Sequence, residues 1–179
     1  MAGLVENEVK IRMAGAGEAR QAMRALGASL LEPRHFEENM LFDATPSLLA
    51  ARGRTLRLRR TDARSVLTFK GPIGSVDGVK SREEIEVEVS DPKELEAILA
   101  GLDLHPTFRY QKYRETYGWR DAELLVDETP IGVFVEIEGP IETIHAAASA
   151  LGRTRDDYIR ESYVALFFAS GGAGDMVFE

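Results

Sequence analysis

Leu4-Val5-Glu6-Asn7-Glu8-Val9-Lys10-Ile11-Arg12 alternates in polarity almost residue by residue. Successive side chains of an extended chain point to opposite faces. Glu6, Glu8, Lys10 and Arg12 therefore share one face, and Val5, Val9 and Ile11 share the other. The pattern recurs downstream. Arg57 and Arg59 alternate with Leu56 and Leu58, Thr68 and Lys70 with Leu67 and Phe69, and Glu84, Glu86 and Glu88 with Ile85, Val87 and Val89. Lys112 and Arg114 share a face opposite Tyr113 and Tyr117, and Glu136 and Glu138 alternate with Val133, Val135 and Ile137. This periodicity predicts eight strands, over residues 4–12, 34–43, 55–60, 65–71, 82–89, 107–119, 123–128 and 133–138.

Helical signals are fewer. Residues 17–26 read as a helix stopped by Gly27, and 141–151 as one stopped by Gly152, with a last helix over 154–168. Asp91, Pro92 and Glu94 form a helix start, followed by the apolar stripe Leu95, Ile98 and Leu99 and a stop at Gly101. Strands mostly joined by short loops favour an antiparallel sheet, so the predicted class is α+β. The expected unit is one domain over 1–169 with a flexible Gly-rich tail over 170–179.

Composition narrows the partners. The 179 residues hold 22 Lys+Arg against 30 Asp+Glu, a net charge of −8. That balance opposes a broad nucleic-acid or anionic-membrane surface. No cysteine is present, which removes disulfides and thiolate chemistry and agrees with a cytoplasmic protein. A homodimer is compatible with the sequence. No G-x-x-x-x-G-K-[ST] loop occurs, and His35, His105 and His145 lack metal-ligand spacing.

The apolar strand faces need cover, and the helices can supply it. If the sheet curls closed, the charged faces look inward at one another. Unpaired buried charges cost several kcal/mol each, so such an interior must be wet, internally paired or filled by ligands of opposite charge. A triphosphate, carrying about four negative charges near neutral pH, suits Arg57, Arg59, Lys70, Lys112 and Arg114. Glu6, Glu8, Glu136 and Glu138 would repel it unless divalent cations stood between. Their all-oxygen donor set favours Mg²⁺ or Mn²⁺ over Zn²⁺.

Glu6-Asn7-Glu8-Val9-Lys10 fits an E-x-E-x-K signature, followed in order by Leu56-Arg57-Leu58-Arg59, by 67–72, by Arg82-Glu83-Glu84-Ile85-Glu86, by 112–117, by Leu125-Val126-Asp127, by 132–138 and by Ser162-Tyr163. The ordered set resembles the CYTH family of triphosphate tunnel metalloenzymes, which includes class IV adenylate cyclases, thiamine triphosphatases and inorganic triphosphatases. The resemblance implies an eight-stranded antiparallel β-barrel, a tunnel with helices packed outside. It implies metal ligation by Glu6, Glu8, Glu136 and Glu138, with Asp127 and Glu84 or Glu86 in support. Arg57, Arg59, Lys70, Lys112 and Arg114 would hold the triphosphate. Lys10 would contact phosphate, or orient or deprotonate a nucleophile.

Two reactions share such a site. A cyclase presents the α-phosphorus of ATP to the ribose 3′-hydroxyl; a triphosphatase presents the terminal phosphorus to water. The stretches 35–43 and 67–72 and the extended end through Tyr163 resemble class IV cyclase-like members more, which puts cyclisation of ATP first and hydrolysis of thiamine, nucleoside or inorganic triphosphate second. A non-catalytic polyphosphate- or nucleotide-binding module ranks below both, since a pure anion binder has no use for the acids. Where the family often has Tyr-Phe-Asp, this chain has Leu41-Phe42-Asp43 and lacks the hydroxyl. Residues 71–80 read equally as a lid or a hairpin loop, and Tyr117 and Trp119 as base-stacking or core aromatics.

Overall fold

The computed structural model describes residues 4–179; residues 1–3 of the expected folded unit lie outside the described residues. Nine strands and four α-helices occur among them: β1 (Leu4–Met13), α1 (Ala16–Leu26), β2 (Ser29–Asp43), β3 (Thr55–Arg60), β4 (Ser65–Lys70), β5 (Gly74–Val76), β6 (Val79–Val89), α2 (Pro92–Gly101), β7 (His105–Trp119), β8 (Ala122–Thr129), β9 (Gly132–Glu138), α3 (Ile141–Ala150) and α4 (Tyr163–Ala169).

All pairings between these strands are antiparallel, in the order β1-β9-β8-β7-β2-β3-β4-β6-β5, and β1 also pairs with β6. That last pairing, Leu4 opposite Glu84 through Glu8 opposite Lys80, joins the two sides of the sheet into a ring. The eight expected strands are the ring; β5 is an additional ninth strand, bonded only to β6. It exists because Asp77 (φ 51°) and Gly78 (φ 81°) form a left-handed two-residue turn that matches strand twist. The segment 71–80 is therefore a hairpin. Its tip is held against the outside of the molecule, where Arg155 Nη2 donates to Asp77 Oδ2 at 2.8 Å and His145 Nε2 lies 3.1 Å from the same oxygen.

The outward apolar faces are covered over most of the ring, but not on β6, where Ile85 and Val87 are exposed, nor at Val5 of β1. Val9, Ile11, Leu124, Val126, Val135 and Ile137 pack beneath Ala19 and Met23 of α1 and Ile144, Ala147 and Ala148 of α3. Leu99 of α2 covers Phe42 and Leu58. Asp91 caps α2, its side chain accepting from the N–H groups of Lys93 and Glu94, and Gly27 ends α1 in the left-handed conformation its stop signal predicted.

Two further expectations fail locally. The helix expected over 154–168 is broken: Arg155–Asp157 form a 3-10 turn and α4 starts only at Tyr163. Between them Ile159 exchanges backbone hydrogen bonds with Lys10 (2.8 and 3.2 Å), which engages the N–H and C=O that a continuous helix would use. Residues 170–179 do not run free either. Met176 is buried, exchanges backbone bonds with Arg109 and Gln111 of β7, and leaves Phe178 5.3 Å from the Tyr113 ring.

Candidate functional site

The inward faces enclose a cavity of about 1190 Å³. At one end, inward-facing Phe108, Tyr110 and Phe134 meet Tyr163 of α4 and Met176 in an apolar cluster. Elsewhere most of the lining is charged, with Leu31, Leu41 and Leu125 among the exceptions.

On the acidic side, β1 and β9 bring Glu6, Glu8 and Glu138 together: one carboxylate oxygen from each lies within 4.8 Å of the others. Glu136, the fourth expected ligand, turns instead to cations, with Lys10 Nζ 2.9 Å away and Arg114 also bonded to it. These contacts outweigh burial and hold Glu136 well below the usual carboxylate range. Glu138 has no such relief. Burial and the neighbouring charges of Glu6, Glu136 and Glu8 push its carboxyl up to about 8, against the pull of Arg114. Such crowding of three carboxylates fits a hard divalent cation; Glu6 and Glu8 are meanwhile engaged by Lys70 and Lys80.

The basic residues face this group and are already engaged. Lys70 Nζ donates to Glu84 Oε2 at 2.7 Å and to Glu6 Oε2 at 3.1 Å. Burial and Arg57 still depress its ammonium to about 8, although Glu6, Glu8 and Glu138 oppose the shift. Arg57 donates to Thr68 Oγ1 (3.3 Å) and Tyr110 Oη (3.4 Å), with Glu86 and Glu84 at 3.6 and 3.7 Å. Arg59 has only longer contacts, 3.5 Å to Glu86 and 3.7 Å to Glu37. Thr68 donates to Glu86 at 2.7 Å.

Asp127 stands behind the wall and is fully buried. It accepts from Lys112 Nζ (3.0 Å), Arg114 Nε (2.7 Å), Arg114 Nη2 (2.6 Å) and the Tyr163 hydroxyl (2.8 Å). The bidentate fork fixes the guanidinium plane. Of the three ways to tolerate a charged interior, the structure shows internal pairing.

Among the lining residues to which the sequence reading gave no role are Lys80, Arg82, Glu37 and Tyr163. Lys80, which bonds Glu8, lay inside the segment read as a loop, because β6 begins three residues earlier than its alternation suggested. Arg82 reaches back to the carbonyl of Gly71 (3.0 Å from Nε) and anchors the start of the hairpin. Glu37 lies on the inward face of β2, 3.5 Å from Lys112 and 3.5 Å from His35. Burial pushes Glu37 up, but Lys112, Arg114, His35 and Arg59 hold it well below its ordinary value. Its alternation with Asn39 and Leu41 was the available signal. Tyr163, noted only within a motif, seals the wall through Asp127. Tyr117 and Trp119 pack against the core beside α1 and α3, away from the cavity.

The profile of the CYTH domain matches residues 4–163. The chain belongs to the CYTH family. It is 27% identical over 175 residues to "Putative adenylate cyclase MJ0240" of Methanocaldococcus jannaschii, covering 91% of this chain and 98% of that protein. Among solved structures, a putative adenylate cyclase from Vibrio parahaemolyticus superimposes with a TM-score of 0.82 at 16% identity, over 93% of this chain and 99% of that one. The putative adenylyl cyclase HpAC1 from Hippeastrum, described as having a dominant triphosphatase activity, gives 0.70 at 23% identity, over 94% and 97%. At these identities the structural likeness establishes the fold. Among the described residues, no helix is long and apolar enough to cross a membrane.

Proposed function

We propose that this CYTH protein is a divalent-metal-dependent enzyme that processes a triphosphate inside its ring, with cyclisation of ATP to cyclic AMP and pyrophosphate as the first reaction to test. The observation that carries this reading is one cavity in which three crowded carboxylates, Glu6, Glu8 and Glu138, face a set of buried cations. A purely anion-binding pocket has no reason to hold the first group, and a purely structural interior has no reason to hold either.

In this reading Glu6, Glu8 and Glu138 hold Mg²⁺ or Mn²⁺, with Glu136 close by. The ion would neutralise charge on phosphate oxygens as the bond to phosphorus breaks. Arg57, Arg59, Lys70, Lys112 and Arg114 bind the phosphate chain, exchanging their contacts with Glu84, Glu86 and Glu37 for phosphate oxygens. Asp127 keeps Lys112 and Arg114 aimed inward throughout. Lys10, bonded to Glu136, stands beside the acids and is placed to contact phosphate or orient a nucleophile.

Hydrolysis is the second reading, favoured by the activity described for the Hippeastrum relative. The two aromatics that the sequence offered for stacking on a base, Tyr117 and Trp119, belong to the core, which leaves Tyr110 and Tyr163 as the tyrosines that line the cavity.

Purified protein incubated with ATP, thiamine triphosphate or tripolyphosphate, each with Mg²⁺ or Mn²⁺, separates the readings by product. Cyclic AMP with pyrophosphate identifies the cyclase, and orthophosphate the triphosphatase. Binding without turnover, unaffected by chelator, refutes both.

A further inference from the structure

The wall formed by β2, β3 and β7 contains buried polar atoms that the charge pairing leaves unused. Asn39 has no solvent exposure, yet neither its amide nitrogen nor its amide oxygen has a hydrogen-bond partner among the described residues. Its register partners are Arg59 and Tyr110, which line the cavity, and directly opposed residues share a face. Asn39 therefore projects inward. One inward position away, Glu37 Oε2 accepts no hydrogen bond, with Lys112 Nζ 3.5 Å off. Arg57 Nε, on the neighbouring strand, is also unmatched.

Native interiors pair their buried polar groups almost without exception, and an unmatched one costs stability. The chemistry of this set restricts what completes it. Arg57 Nε only donates, an ionised Glu37 only accepts, and Asn39 does both. Ionised phosphate oxygens only accept. They match Arg57 and the Asn39 amide nitrogen, leave the Asn39 amide oxygen unmatched, and are repelled by Glu37. An oxygen that carries a proton both donates and accepts: a water molecule, with two protons and two lone pairs, can match all four atoms, and a sugar hydroxyl, with one proton, can match both donors and one of the two acceptors.

We infer that Glu37 and Asn39 form a subsite for a proton-bearing oxygen, held on the basic wall beside the phosphate chain. The inference rests on the triphosphate reading above and sharpens it: the oxygen belongs either to the sugar of a nucleoside triphosphate or to a water molecule. Glu37 and Asn39 are specificity-determining residues in the first case. In the second they position the water that attacks phosphorus.

The test compares the wild type with Asn39→Leu, Asn39→Ser and Glu37→Gln. Affinity for the Mg²⁺ complexes of ATP, 2′,3′-dideoxy-ATP and tripolyphosphate is measured by calorimetry, together with turnover of each and the unfolding midpoint of the ligand-free protein. If the oxygen is the sugar's, the ratio of ATP to tripolyphosphate affinity falls at least tenfold in the Asn39 variants. Dideoxy-ATP then already behaves like tripolyphosphate in the wild type. If the oxygen is water's, turnover of all three ligands falls at least tenfold while the affinities hold. In both cases Asn39→Leu raises the ligand-free midpoint, because an unmatched amide has been removed. The inference is overturned if affinity and turnover are unchanged, if both fall by one common factor for every ligand, or if both Asn39 variants lower the midpoint. Wild-type protein that binds none of the three ligands refutes the triphosphate reading itself, and the subsite with it.

Discussion

Replacing Asp127 by Asn removes the anion on which the basic wall is hung. Asp127 accepts four hydrogen bonds, three of them from Lys112 and Arg114, and its side chain has no exposure to solvent. Asparagine is nearly isosteric, but its amide nitrogen must face donors, and two buried cations lose their shared counter-charge. Breaking a buried ion pair from one side costs about 3–5 kcal/mol. Glu37 and Glu136 still face Lys112 and Arg114, so the lower half of that range, about 3–4 kcal/mol, is expected. For a chain of this size that corresponds to a fall in Tm of roughly 6–16 °C. Tyr163→Phe removes one of the four bonds without leaving a charge unpaired, and should cost about 1 kcal/mol. Urea unfolding of the two single variants and the double variant forms a cycle, in which the Tyr163 loss should shrink once Asp127 is neutral. A loss below 1 kcal/mol for Asp127→Asn would refute the view that this carboxylate holds the wall together.

Three further outcomes follow from separate parts of the molecule. Glu8→Gln and Glu138→Gln should each weaken Mn²⁺ binding at least tenfold, read by calorimetry or electron paramagnetic resonance on folded protein; near-wild-type affinity in both would exclude this trio as a metal site. Asp43 accepts from the N–H groups of Leu49, Ala50, Ala44 and Leu48, which outweigh its burial and lower its pKa. Asp43→Ala should therefore cost about 1–2 kcal/mol at neutral pH. That contribution is complete above the unfolded-chain value of about 3.9 and is lost as pH falls through the lower folded value. Wild type and variant should thus converge in strong acid, and a gap that persists there would count against the carboxylate as its source. Asp77→Ala, which unties the hairpin tip from Arg155 and His145, should raise the rate of limited proteolysis within 71–79 without changing the global unfolding midpoint, and cleavage at the wild-type rate would show the tether to be idle.

Strand periodicity made most of the ring legible, because half-buried strands must segregate their two faces. The same periodicity named Glu6, Glu8, Lys10, Arg57, Arg59, Lys70, Lys112, Arg114, Glu136 and Glu138 as inward residues, and all ten line the cavity. What it could not show was who pairs with whom. Whether Glu136 joins Glu138 or turns to Lys10 depends on register between strands more than a hundred residues apart. Lys80 was hidden by a boundary, and the break at 158–162 by a long-range bridge to Lys10 that no local propensity encodes. Asn39 and Glu37 lay within the expected strand, which starts five residues earlier than its alternation suggested and whose inward face alternates less sharply, since Leu41 continues it.

Closure by the β1–β6 and β1–β9 pairings also bears on how the chain reaches this state. The strand that leaves the ribosome first among the nine waits longest for a neighbour, for its partner β9 starts 119 residues after Met13 ends β1. Until then β1, with its row of glutamates and its valines, has half of its backbone bonds unmade and its apolar side uncovered. Such long-range pairing slows folding and lengthens exposure to self-association. Once the seam is shut, none of the eight ring strands presents an open edge to a neighbouring molecule.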